Sequence, residues 1–398
     1  MNIAWLTPEV VYPPVGGRNG VYNRIVQLSK YNDIYLFSIA YNEEELHSQA
    51  EMEKYCKEIH LYNRSDNKKL VLLKSLTKPF SVASRTRTDL QHDLERTIKE
   101  KKIDIVIDDF PNMSLNLLKI DLGHTYCTLN LHNTEYLRMR DMSKVETISR
   151  MKRVMYYLES YRLEAYENKI YSSGLFKSVT FFSAEDQAFF IKHWKKSKAK
   201  TELFPLGANK PSSIQEFKNR KKLLFVGRLD EVAVPNVEAA IWLANKVFPR
   251  ILEKIPDAEL IIAGANPCDR VNDLASKNIT IIPNYKTLDD IYSKTDYVVL
   301  PLLSGGGVKG KLLEAAAYKK IIISTPHGVE GTKFSNDSVY IASDENSFAN
   351  ACIEALVKPE LRKAEKAYSL FEEYYDWDSI GKKYYEFLQK EVIENRKV

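Results

Sequence analysis

The feature that most constrains this chain is a repeated alternation of short apolar runs with longer helix-like stretches along its 398 residues. Apolar runs of strand length fall at 3–7, 34–39, 103–108, 127–131, 179–182 and 202–204. They are too short for core helices and are mostly apolar, as expected of strands buried on both faces. Helix-like stretches lie between them, for example at 86–101 and 145–171. This succession predicts an α/β fold built on a parallel sheet covered on both sides. A polar segment at 205–220, with Gly207, Asn209-Lys210-Pro211 and paired serines, breaks the pattern and reads as a linker. The alternation then restarts, with strands at 222–226, 259–263, 279–282 and 296–300 and a helix at 235–254. After Gly305-Gly306-Gly307 come a helix over 311–318 and a strand at 320–324. The tail, 376–398, is a charged amphipathic helix with Trp377, Ile380, Tyr384 and Phe387 spaced for one apolar face. The expectation is two doubly wound, Rossmann-like domains in tandem, 1–207 and 221–375, joined by a linker at 208–220. Helix 376–398 is then available to bridge them.

The length agrees with two domains of roughly 150–200 residues. With 44% hydrophobic and 28% charged residues, the composition is that of a globular protein with sizeable cores. A net charge of +5 is too small to argue for nucleic acid, although it suits anionic substrates or an anionic membrane surface. No basic segment followed by a long apolar stretch opens the chain, and the run at 297–303 is far shorter than the roughly 18 residues of a membrane span. The expected location is cytoplasmic. Cys56, Cys127, Cys268 and Cys352 are scattered without metal or redox spacing, and the seven histidines show none either, so no protein-bound metal is expected.

Four places carry candidate chemistry. The loop Tyr12 to Gly20 includes Gly16 and Gly17 and runs into a helix; glycines let backbone approach a ligand, and a helix start attracts phosphate. It lacks the G-x-G-x-x-G spacing and the acidic partner of a dinucleotide site, and a plain glycine turn is the alternative. Gly227-Arg228 follows a strand, placing a permanent cation at the sheet edge where open α/β sheets bind ligands, unless Arg228 merely makes a surface salt bridge. The stretch Pro301 to Glu314 holds three glycines (Gly305, Gly306, Gly307), then Val308, Lys309, Lys311 and Glu314. Exposed amides, a helix start and two lysines suit a diphosphate, and Glu314 is placed to accept from two ribose hydroxyls. A surface Glu–Lys pair is the alternative there. Fourth, His132 ends an apolar strand, where it either positions a substrate hydroxyl or bonds to backbone.

Taken in order, these places resemble the retaining GT-B glycosyltransferases of family four, more narrowly the bacterial branch that makes capsular, exopolysaccharide and lipopolysaccharide sugars. The resemblance covers nearly the whole chain. It is strongest from Phe225 to Gly331, where F-V-G-R-L-D, P-N-V-E-A-A-I-W-L, G-G-G-V-K-G-K-L-L-E-A and S-T-P-H-G-V-E-G follow in family order. Tyr375-Asp376-Trp377-Asp378 is similar to the family's closing signature, where the last helix, 376–398, crosses back to the N-terminal domain. The resemblance implies two Rossmann-like domains facing across a cleft, with the nucleotide sugar on 221–375 and the acceptor on 1–207. It implies a sugar transfer from a UDP- or GDP-linked donor, without a metal, to a glycan or lipid-linked acceptor in surface polysaccharide synthesis.

By residue, the resemblance assigns Gly16 and Gly17 to the donor phosphates and sugar, and His132 to the sugar at the reacting centre. Arg228 is assigned to the diphosphate and Glu314 to the ribose, as the second glutamate of an E-x7-E motif. Two positions depart from the pattern. The first glutamate of that motif is Gly306 here, and the basic residue expected six after Arg228 is Val234. Lys309 and Lys311 stand as substitutes for that cation. The missing glutamate motivates the alternative of a catalytically inactive partner subunit; a sugar-nucleotide epimerase on the same architecture is a third reading. The Tyr- and Arg-rich stretch 150–171 forms either an interfacial helix at the inner face of a membrane or a packed helix with a solvated face.

Overall fold

The computed structural model describes every residue except 15–17, 43–44, 46–48, 65–70, 72, 145–148, 305–307 and 397–398. The chain divides into two compact units: unit 1 comprises Met1–Pro205 and Ile380–Val398, and unit 2 comprises Leu206–Ser379.

In unit 1 the described strands are β1 (Asn2–Thr7), β2 (Asp33–Ala40), β3 (Glu58–Asn63), β4 (Ile105–Asp108), β5 (Tyr126–Leu131), β6 (Ser178–Phe181) and β7 (Lys200–Leu203). They form one parallel sheet in the order β3-β2-β1-β4-β5-β6-β7. Unit 2 contains β8 (Lys222–Val226), β9 (Glu259–Gly264), β10 (Ile279–Pro283), β11 (Tyr297–Leu300), β12 (Ile321–Ser324) and β13 (Tyr340–Ile341), again all parallel, ordered β10-β9-β8-β11-β12-β13. In each sheet the chain winds outward from the first strand, then returns to its other side. The order therefore reverses between β1 and β4, and again between β8 and β11.

Alternate residues of the unit 2 strands feed separate cores on the two faces. Leu223, Phe225, Leu260, Ile262, Val299 and Ile323 belong to one cluster. Leu224, Val226, Ile261, Val298, Leu300 and Ile322 belong to the other. Side chains alternate in direction along a strand, so a run apolar at every position is the sequence of a strand buried twice over. The same logic gives β1, where Ile3, Ala4, Trp5 and Leu6 are all fully buried.

The sequence pattern missed β3 and β13. Only Tyr62 of β3 is buried, because the strand lies at the sheet edge and carries polar residues, so it never reads as an apolar run. β13 is two residues long. The helix expected at 235–254 is three consecutive pieces, Val234–Trp242, a π-helical turn Leu243–Val247, and Phe248–Lys254 with Pro249 in its first turn. A proline supplies no N–H, and the wider turn before it accommodates the loss.

The expected linker at 208–220 is tied down at several points. Ala208 pairs with Asp376, its N–H donating to Tyr375 O at 2.8 Å while its carbonyl accepts from Trp377 N at 3.2 Å. Phe217 packs on the ring of Tyr297. The final helix, Trp377–Asn395, starts where the Asp376 carboxylate accepts from the Ser379 N–H at 3.3 Å, a side-chain cap. From Ile380 onward it belongs to unit 1. Its buried stripe is Trp377, Ile380, Tyr384, Leu388 and Val392. Leu388 takes the fully buried position that the sequence reading gave to Phe387, which is only half-buried.

Candidate functional site

Open parallel sheets bind ligands beyond the carboxyl ends of their strands, where the strand order reverses. In unit 2 that place is followed in the chain by Gly227-Arg228 after β8 and, after β11, by the described residues 301–304 and 308–311. Gly227 lies against two side chains: a Cβ there would sit 3.0 Å from Lys311 Nζ and 3.1 Å from Asn236 Cγ. Asn236, in the first turn of helix Val234–Trp242, joins the parts. Its Oδ1 accepts from Lys311 Nζ at 2.6 Å, and its Nδ2 donates to the Arg228 carbonyl at 3.0 Å. The Lys311 ammonium also lies 4.8 Å from the centroid of the Phe225 ring. Burial lowers Lys311 to about 8, with Glu314 opposing the shift and Lys309 adding to it. Lys309 is nearly enclosed, and its value is lowered by the same cause, with Glu330 opposing. Arg228 is exposed and donates through Nε to Asp230 Oδ2 at 2.6 Å.

Helix Gly310–Ala317 begins directly after Lys309 and brings Glu314 one turn on. Glu314 Oε2 accepts from Tyr292 OH at 3.1 Å, and Oε1 is 3.9 Å from where a Cβ on Gly310 would be. Burial raises the Glu314 carboxyl, opposed by the Tyr292 hydrogen bond and the Lys311 charge. Val308 is half-buried against the core cluster beneath. One end of this sheet thus gathers three cations, a carboxylate with acceptor capacity to spare, and the first amides of a helix. That set is suited to a diphosphate joined to a hydroxyl-bearing ring.

The reversal point of unit 1 carries a different set. Asp109 follows β4 and is fully buried; it accepts from Trp5 Nε1, from Asn130 Nδ2 at 2.9 Å, and from His132 Nε2 at 3.2 Å. Because Asp109 is an acceptor here, His132 donates from Nε2 and keeps Nδ1 as an acceptor. The imidazole stacks on Phe110 at 4.2 Å and tilts against Phe182 at 4.4 Å. Burial lowers its pKa, Asp109 resists, and the Arg24 charge adds to the lowering, so the neutral ring prevails near pH 7. Arg24 is fully buried, donating to Phe204 O at 2.6 Å with its guanidinium 3.6 Å over the Phe182 ring. Asn130 Oδ1 accepts from Thr180 Oγ1 at 2.6 Å and from Tyr384 OH at 2.7 Å, so the last helix completes this network.

Of the residues singled out from sequence, Gly227, Arg228, Lys309, Lys311 and Glu314 come together in unit 2, with Val308 behind them. His132 stands in unit 1. Gly16, Gly17, Gly305, Gly306 and Gly307 lie outside the described residues. Sequence reasoning passed over Tyr292, Asp109 and Arg24, and gave Asn236 and Tyr384 no part in a site. Asp109 had a usable signal, a carboxylate just after an apolar strand, and Asn236 lies inside the P-N-V-E-A-A-I-W-L stretch; Tyr292 had none, since its partner is 22 residues away.

Comparison with known proteins bears on this geometry. Residues 220–358 match the family described as glycosyl transferases group 1. Over 388 residues the chain is 28% identical to a 44.6 kDa protein from the cps region of Klebsiella pneumoniae, covering 91% of this chain and 92% of that protein. Among solved structures, a glycosyltransferase from Rickettsia africae superposes with a TM-score of 0.67 at 18% identity, over 99% of both chains. Sucrose-phosphate synthase from Thermosynechococcus elongatus gives 0.66 at 14% identity, over 99% of this chain and 100% of that one. The Anabaena protein HepE, bound to UDP and glucose, gives 0.60 at 12% identity, over 98% and 100%. These likenesses show the fold: two doubly wound α/β units in the GT-B architecture. The cations and the carboxylate of unit 2 all fall inside the segment that matches the group 1 domain.

Proposed function

We propose that this chain is a glycosyltransferase that moves a sugar from a nucleotide diphosphate donor to a glycan or lipid-linked acceptor. The reading extends to retention of anomeric configuration, independence of metal, and work at the inner face of a membrane in surface polysaccharide synthesis. The observation that carries it is the grouping of Gly227, Arg228, Lys311, Lys309 and Glu314 at the reversal point of unit 2, with Lys311 fixed by Asn236. The group 1 domain match over the same residues supports it.

In this mechanism the donor diphosphate lies over Arg228, Lys309, Lys311 and the start of helix Gly310–Ala317, while Glu314 accepts from the ribose hydroxyls. Breaking the bond between the sugar and the phosphate leaves an extra negative charge on the diphosphate. The cations and helix amides meet that charge in place, at roughly 3–4 kcal/mol per well-placed donor. The departing phosphate oxygen takes the acceptor's proton on the face it leaves, which accounts for retention without an enzyme nucleophile. Neutral His132 accepts a hydrogen bond from a sugar hydroxyl at Nδ1, held in orientation by Asp109. Arg228→Ala should lower turnover at least about a hundredfold with an unchanged melting temperature. Near-wild-type turnover would remove the role. Product configuration read by NMR tests retention, and an inverted product would refute it. Nucleotide release from UDP- and GDP-sugars by the lone chain distinguishes an enzyme from an inactive partner subunit.

A further inference from the structure

Helix Arg150–Tyr171 is two helices in character. Its second half packs into the unit 1 core through Ser160, Leu163, Tyr166, Ile170 and Tyr171. Its first half turns an apolar stripe outward: Met151, Val154, Met155 and Leu158, at i, i+3, i+4 and i+7, are 75%, 54%, 62% and 57% exposed. A solvated helix face carries polar residues at those positions, so this one is made for a non-aqueous contact. Arg150, Lys152 and Arg153 flank the stripe, and Tyr157 and Tyr161 stand beside it with hydroxyls 2.8 Å apart.

The segment alongside extends the surface. Arg162 donates to the carbonyls of Ser75 and Lys78, and Phe80 N donates to Glu159 at 2.6 Å, which fixes 75–80 against the helix. That segment presents Leu73, Leu76 and Phe80, which are 63%, 74% and 49% exposed. Next to it a cavity of about 480 Å³ is lined by Leu76, Leu115, Leu118 and Ile170, with Lys78 and Lys169 at its wall. The Lys78 ammonium is held below its usual value by burial and by its neighbours Lys119, Lys74 and Lys169. Four lysines thus crowd one rim, and among the described residues none of them is ion-paired with a carboxylate. Like charges gathered without acidic partners mark a place for an extended anionic surface. Apolar side chains and tyrosines on the helix, with a lysine rim on the adjoining segment, match the boundary between headgroups and acyl chains.

We propose that this face of unit 1 docks onto an anionic lipid bilayer, with Met151, Met155, Leu158 and Leu76 entering the acyl boundary and the lysines resting on headgroup phosphates. The inference deepens the membrane part of the proposed function, but it stands on unit 1 alone and its test needs no donor. The full chain is sedimented with vesicles of phosphatidylcholine, or of phosphatidylcholine mixed with phosphatidylglycerol. Wild type should pellet with the mixed vesicles, remain in solution with the neutral ones, and detach as salt is raised. Met155→Glu with Leu158→Glu should weaken vesicle binding at least about tenfold, and Lys78→Ala with Lys119→Ala by a similar factor, since each lysine near such a surface counts for roughly fivefold. The second pair keeps the test open if the first disturbs the helix. UDP-induced thermal stabilisation should be unchanged in both, so that loss of docking is told apart from loss of donor binding. Wild type that stays in solution with anionic vesicles overturns the proposal. So does vesicle binding indifferent to both pairs, or a dimer in solution that these substitutions dissolve.

Discussion

Lys311 is held by groups of different kinds, an amide oxygen of Asn236 and the face of Phe225, and neither carries a charge to hold its proton in place. Burial lowers its value, the nearby Glu314 only partly offsets this, and its charged form is present below about pH 8 and fades above it. UDP affinity should fall as pH rises through about 8, and Lys311→Arg should abolish that fall; calorimetry across the range checks both. Linkage gives a second sign. Between about 8 and the free value of 10.5, the unfolded chain keeps a proton that the folded one has released, so the ligand-free protein should gain stability with pH across that window. Removing Asn236 leaves a buried ammonium without its acceptor, and Asn236→Ala should weaken UDP binding about tenfold. Two glycines separate fold from site. A Cβ on Gly264 would lie 1.7 Å from the Gly227 carbonyl, a backbone atom that cannot step aside, so Gly264→Ala should abolish the soluble fold. At Gly227 the nearest atom is the side-chain end of Lys311 rather than backbone, and Gly227→Ala should keep the fold and weaken nucleotide binding. Solubility and thermal shift measured together separate the two. Gly227, Arg228, Lys311 and Glu314 were legible in sequence because each follows an apolar strand or opens the next helix. Tyr292 and Arg24 act through partners brought in by the fold, which no local spacing announces.

Elements buried on both faces were the easiest to read, because apolar residues dominate their runs on both faces. β3 was missed for the opposite reason, being an edge strand with a single buried side chain. In the last helix the apolar stripe was legible, but its phase was off by one residue at Phe387, since the sequence offers Phe387 and Leu388 side by side and only packing decides between them. Leu388 is fully buried, and Leu388→Ala should cost about 2–5 kcal/mol by urea denaturation. Phe387→Ala should cost clearly less. The approach of this helix to helix Arg18–Ser29 depends on Gly381, where a Cβ would meet Gln27 Cβ at 2.4 Å. Gly381→Ala should therefore destabilise unit 1 by about 1–3 kcal/mol through overpacking.

At the scale of the molecule, unit 2 is one unbroken segment, Leu206–Ser379, set between the two parts of unit 1. Truncation after Ser379 removes Tyr384, Leu388 and Val392 from unit 1 while leaving every named residue of the proposed nucleotide site in place. The shortened chain should lose the unit 1 unfolding transition yet keep its stabilisation by UDP, about 2.7 kcal/mol at a hundred times the dissociation constant. Calorimetry with and without UDP reads both. The same nesting sets a schedule for biosynthesis. The seven-stranded sheet leaves the ribosome first but cannot close its buried network until Tyr384 arrives, after the whole of 206–379 has been made. At about 5–20 residues per second, that is a wait of roughly ten to thirty seconds. The half of the protein translated first is the half that matures last, and during that interval its unfinished surface is the one a chaperone would meet.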